Sequence, residues 1–198
     1  MASMLAEGMF AISLAVRIYD ASEVPGPHLA TARATVEGIM KKGAGVGVTW
    51  TPCPCASPVR PDELVVRIAA AAPPASSPGS LGFSFVDLGR RAGTLATVFA
   101  DRVKAMAALT GVDQGELLGR VIAHEIAHLL IGTNDHGSRG LMRGAWRASE
   151  LARQRPSDWL LSASEGLRIR QAIWRRGSAS PPAMLAADAD AAPKDTPQ

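Results

Sequence analysis

The chain has 198 residues, of which 47% are hydrophobic and 20% charged, with a net charge of +3. That length suits one domain with its own core and is short for two. The positive charge comes largely from arginines scattered between Arg139 and Arg176. With no dense basic run and no interleaved aromatics, composition argues against nucleic acid as a partner.

In chain order, Leu14 to Tyr19 reads as a buried first strand, apolar apart from Arg17. The apolar run Phe10 to Val16 is the approach to it. Met1 to Met9 carries no Lys or Arg and includes Glu7, which argues against a secretory signal. No stretch approaches the ~20 apolar residues of a membrane-spanning helix, so no membrane partner is expected and the default compartment is cytoplasmic. Leu29, Ala32, Val36 and Ile39/Met40 then follow helical spacing from His28 to Lys42, with Gly43 as the stop. Val46 to Trp50 and Glu63 to Ile68 read as the second and third strands. Cys53 and Cys55 lie between them in Thr51-Pro52-Cys53-Pro54-Cys55. Two positions apart in a proline-locked stretch they point away from each other, which disfavours a disulfide and leaves two loop thiols.

Leu81 to Val86 alternates as a half-buried strand, with Leu81, Phe83 and Phe85 on one side. Leu95 to Phe99 is a further strand. Asp101 is placed to cap a helix through Val103, Met106 and Leu109 to Gly111. The best-marked helix follows: Asp113 and Glu116 have capping-box spacing, Leu118, Ile122, Ile126 and Leu129 form one apolar row, and Gly132 ends it. Thr133 to Trp146, with its glycines and weak periodicity, reads as a functional loop. Ser162 and Glu165 cap a last helix carrying Leu167, Ile169, Ile173 and Trp174. Residues 1–176 thus form one domain, and the Ala/Pro/Asp-rich 177–198 reads as a disordered tail.

The chemistry concentrates in the well-marked helix. His124 and His128 stand four residues apart, one turn along one face, so two imidazoles can reach one ion at ~2.0–2.1 Å. Glu125, beside the first ligand, suits the general base that takes a proton from a metal-activated water in the His-Glu-x-x-His arrangement. Beyond Gly132, His136 is placed to be the third ligand, leaving a fourth position open as in catalytic zinc sites. Asp135 is the alternative third ligand. Asp101 and Asp135 are candidate partners for a ligand imidazole's second N–H.

The stretch His124-Glu125-Ile126-Ala127-His128, with Gly132, His136 and then Gly140-Leu141-Met142, resembles the metzincin clan of zinc peptidases. Here the glycine falls one residue and the histidine two residues later than in the clan's long motif. The resemblance implies an α/β (α+β) fold, a twisted mixed sheet with an antiparallel edge strand along which a peptide or protein substrate lies extended. It also implies Zn²⁺ as cofactor, a methionine turn at Met142, and peptide-bond hydrolysis. Leu81 to Val86 and Leu95 to Phe99 are both candidates for the edge strand, and Trp146 for the pocket wall. Two other readings fit the motif: a deformylase-like amidase with Cys53 or Cys55 as a ligand, and a zinc-holding interaction protein without turnover.

Overall fold

Five strands build one sheet in the order β2-β1-β3-β5-β4: β1 (Ser13–Asp20), β2 (Gly47–Pro52), β3 (Glu63–Ala69), β4 (Gly82–Asp87) and β5 (Ala92–Phe99). The structure is a computed structural model that describes residues 12–52 and 57–179. Cys53, Cys55, the N-terminal residues through Ala11, and the tail from Ser180 lie outside the described residues. All pairings are parallel except β4 with β5, so β4 is the antiparallel edge strand. Parallel neighbours need a crossover, and α1 (Gly26–Ala44) supplies it between β1 and β2. The mixed sheet packed on helices is the fold class expected from the sequence.

Alternation explains how the sheet is covered. Leu14, Val16 and Ile18 of β1, Leu64, Val66 and Ile68 of β3, and Ala96 and Val98 of β5 are buried in one core with α1 and α3 (Gln114–Ile131). Gly119 lets the two helices approach closely, because a Cβ there would lie 2.5 Å from the Ala32 carbonyl oxygen. Such crowding leaves α3 buried on every side from Leu117 to Ile131, rather than along a single apolar stripe. The helix α2 (Ala100–Thr110), the short α4 (Ala148–Arg153), a 3-10 turn at Pro156–Trp159 and α5 (Ala163–Ala179) complete the structure. No helix among the described residues is long and apolar enough to cross a membrane.

Several local expectations shift. The first helix runs through Gly43 and stops at Gly45, which takes the left-handed conformation (φ 65°) and bonds back to Lys41 and Met40; Gly43 instead packs against Leu161. Asp101 sits inside the first turn of α2 rather than at its cap. On β4, Phe83 and Phe85 face outward, 36% and 58% exposed, while Ser84 turns inward to bond α3. Periodicity alone could not choose between the two faces. On α5 the packed row is Ile169, Ala172 and Ile173; Leu167 and Trp174 share the solvent side. Ser162 and Glu165 do cap this helix reciprocally, and it continues to Ala179, past the boundary drawn at 176.

Arg17, the basic residue of β1, is buried on the sheet's other face. Its guanidinium donates to Glu63 Oε2 at 2.7 Å and to the carbonyls of Ser57 and Pro58. Burial pushes the Glu63 carboxyl up, but bonds from Arg17, the Arg60 N–H and Thr51 outweigh it and hold it below its ordinary range. A depressed folded-state value contributes stability at neutral pH that disappears as pH falls through it. Glu63→Ala should therefore cost about 3 kcal/mol at pH 7 by urea unfolding. The gap from wild type should narrow in acid, below the ordinary carboxylate range.

Candidate metal centre

The capping arrangement at Asp113 sets where α3 begins: its carboxylate accepts the Glu116 N–H at 2.9 Å. Ten residues on, His124, Glu125 and His128 project from the helix, 8%, 5% and 4% exposed. Gly132 ends the helix in the left-handed region (φ 73°), its N–H bonded to the His128 carbonyl. A Cβ at that position would lie 2.0 Å from the Arg91 carbonyl oxygen, so glycine is required twice over, by conformation and by space. The chain turns there and brings back His136.

The three imidazoles then converge. His128 Nε2 lies 3.0 Å from His124 Nε2 and 3.3 Å from His136 Nε2. The opposite nitrogens of the two helix histidines are occupied: His124 Nδ1 donates to the Leu141 carbonyl at 2.9 Å, and His128 Nδ1 to the Thr133 carbonyl at 2.7 Å. A carbonyl can only accept, so each Nδ1 carries the proton and each Nε2 presents a lone pair to the others. Burial, then the charge of His128, lowers His124 to about 3, and burial lowers His128 as well. Both rings are therefore neutral, the state a metal ligand must have.

This donor set fits a zinc ion. Ligands placed tetrahedrally at 2.0–2.1 Å stand about 3.3 Å apart, close to the separations here, and a cation removes the repulsion of the facing lone pairs. Among the described residues, His124, His128 and His136 are the group whose ligand atoms all fall within 4.8 Å of one another. Asp135 is outside it and takes a bond from the Thr133 hydroxyl. The imidazoles of His124 and His128 are held by the Leu141 and Thr133 carbonyls of the following loop rather than by Asp101 or Asp135.

Glu125 is held from across the cleft. The Ser84 hydroxyl on the edge strand lies 2.6 Å from Glu125 Oε2 and 2.8 Å from its carbonyl oxygen. Burial raises the Glu125 carboxyl to about 7, opposed by the Ser84 bond. Sequence reasoning missed Ser84; its place in an alternating strand was the available signal. These groups open on a cavity of about 660 Å³ that runs between Leu81–Ser84 on one side and Gly144–Trp146 on the other.

The loop floor is anchored. Gly137 N–H bonds the Met142 carbonyl at 2.7 Å, Leu141 N–H bonds the Leu160 carbonyl at 3.0 Å, and Met142 is buried. Trp146 lines the cavity with its ring edge-on to His124 at 5.6 Å. Arg143 is packed over the Trp159 ring and paired with Glu150 at 3.5 Å. Arg120 covers the same ring at 4.3 Å. Arg139 is exposed.

No protein-family model matches the chain, and no curated protein matches it. Solved structures do. One is a zinc-dependent peptidase from Methanocorpusculum labreanum, with TM-score 0.52 and 13% identity over 78% of this chain and 99% of that one. Another is metalloproteinase-II from Bacteroides fragilis, with TM-score 0.53 and 11% identity over 84% of this chain but 55% of that one. The fold is similar to that of zinc peptidases. At these identities the likeness shows the fold alone. The histidine cluster adds residues able to bind a metal.

Ser84→Ala should leave the fold and metal content intact, since it removes one hydroxyl from a strand edge. It should raise the Glu125 carboxyl further above its ordinary value, read by NMR titration, because the Ser84 bond opposes burial there, and Ser84→Thr should restore part of the change.

Proposed function

We propose that this chain is a zinc-dependent metallopeptidase of divergent metzincin-like type. His124, His128 and His136 hold the metal and Glu125 is the general base. Residues 1–176 with the end of α5 form the catalytic domain. The observation that carries this reading is the convergence of three Nε2 atoms, two of them aimed by carbonyl bonds at the opposite ring nitrogen. Adjacent to them stands a carboxylate that takes no part in the cluster.

The bound ion would polarise the scissile carbonyl and lower the pKa of a water toward ~7. The chain's own groups do the rest. Ser84 holds Glu125 Oε2, which leaves Oε1 to accept a proton from the attacking water and return it to the departing amine. The peptide lies extended beside β4, whose unpaired edge offers main-chain bonds. The cavity wall at Gly144 to Trp146 receives a side chain next to the scissile bond. The deformylase-like alternative needs a cysteine ligand, whereas here His136 supports the reading as the third donor.

Purified protein should contain one zinc per chain, and His136→Ala should lose most of it on dialysis. Glu125→Gln should keep the zinc and lower peptide hydrolysis by about 10²- to 10⁴-fold. If the wild type holds stoichiometric zinc yet cleaves nothing across broad peptide libraries, the chain is a zinc-binding protein without turnover. Tight zinc binding by the His136→Ala variant would discard the three-histidine assignment.

A further inference from the structure

A second, larger cleft of about 980 Å³ lies at the other end of β4, between the β4–β5 turn, the C-terminal end of α3 and α5. Among the described residues, its charged lining comprises Arg90, Arg91, Arg168, Arg175 and Arg176, with Asp87 as the carboxylate. That excess is larger than the +3 of the entire chain. Arg90 lies 3.8 Å from Asp87, both being well exposed. Among the described residues, Arg91, Arg168 and Arg175 have no carboxylate within 4.0 Å. Two of the guanidiniums are positioned by the backbone: Arg168 donates to the Ile131 carbonyl at 3.1 Å, and Arg176 to the Gly93 carbonyl. Gathering like charges around one concavity is unfavourable by itself and focuses a positive potential there.

The cleft adjoins the histidine cavity along two shared elements. On β4, Gly82 to Ser84 line the cavity and Phe85 to Asp87 line the cleft; on α3, His124, Glu125 and His128 give way to Leu130 and Ile131. From Ser84 to Asp87 is about 10 Å of strand, a span that three substrate residues would cover.

We propose that this cleft is an exosite for acidic peptide segments, engaging Asp or Glu side chains roughly three to six residues from the scissile bond. The inference rests on the peptidase reading for the origin of its ligand, but peptide binding can be measured without turnover. Guanidinium groups favour carboxylates through paired N–H bonds. An extended chain beside β4 also delivers successive side chains toward the arginines. The cleft thus selects substrates by charge at a distance from the reacting bond, independently of the pocket beside Trp146.

The test uses full-length zinc-loaded Glu125→Gln protein and fluorescent peptides bearing either a Glu run or the matched Gln run on each side of a central cleavable segment. Anisotropy should show the Glu peptide, with the run on one side only, binding on the order of tenfold tighter at low salt. High salt should erase that advantage, as should the double change Arg90→Ala with Arg175→Ala. In active protein the same double change should raise KM for the Glu peptide alone, with kcat unchanged. Equal binding of Glu and Gln peptides would overturn the proposal, as would an undiminished preference in Arg175→Glu. Tighter binding of inorganic phosphate or of a short oligonucleotide at the same arginines would overturn it too. A charge preference without hydrolysis would keep the exosite and remove the peptidase; hydrolysis indifferent to charge would do the reverse.

Discussion

The organisation of this molecule depends on burying a helix that carries polar side chains. Helix α3 is enclosed by the sheet, by α1 and by α5, yet it bears His124, Glu125 and His128. A buried imidazole N–H or carboxylate without a partner costs several kcal/mol, so the surroundings must supply partners. Two carbonyls, of Leu141 and Thr133, and one hydroxyl, of Ser84, do so. Each comes from a different piece of chain. The edge strand and the two ends of the following loop are therefore placed by the same requirement that aims the ring nitrogens.

This gives the two sides of the cleft different parts. The loop side sets ring orientation through backbone oxygens, which no side-chain substitution removes. The strand side, the antiparallel edge of the sheet among the described residues, holds the carboxylate through one hydroxyl. Beneath the loop, the Trp159 ring lies between Arg120 and Arg143, a stack that fills the space under Trp146. Stacked cations on an indole provide packing and attraction together.

Much of this was legible in the sequence where local chemistry decides the outcome. The Asp113 cap, the Gly132 stop and the four-residue histidine spacing each rest on backbone geometry that the residue type nearly dictates. The reading failed where a choice depends on a distant neighbour. Phe83 and Phe85 are large and apolar, yet they face outward because Ser84 bonds α3. Gly43 is a good terminator that a neighbouring helix overrides by packing onto it. Arg17 pairs with Glu63 across 46 residues and Arg143 with Glu150 across 7, separations that no local spacing encodes. The arginine cleft joins residues 90–91 with 168–176, a juxtaposition that composition along the chain cannot reveal.

The turn at Gly132 has a further meaning for how such a site can change over time. Its Cα rests against the Arg91 backbone, and the loop beyond is pinned again where Leu141 meets Leu160. Between those two points the segment bearing His136 is exposed from Asn134 to Arg139 and is tied at Gly137 to the Met142 carbonyl. Residues can be added or lost there without disturbing the helix or the core. The distance in sequence from the second histidine to the third is thus a loose variable, whereas the distance in space is a tight one. A pattern search built on fixed intervals would pass over molecules of this kind even where the three rings meet.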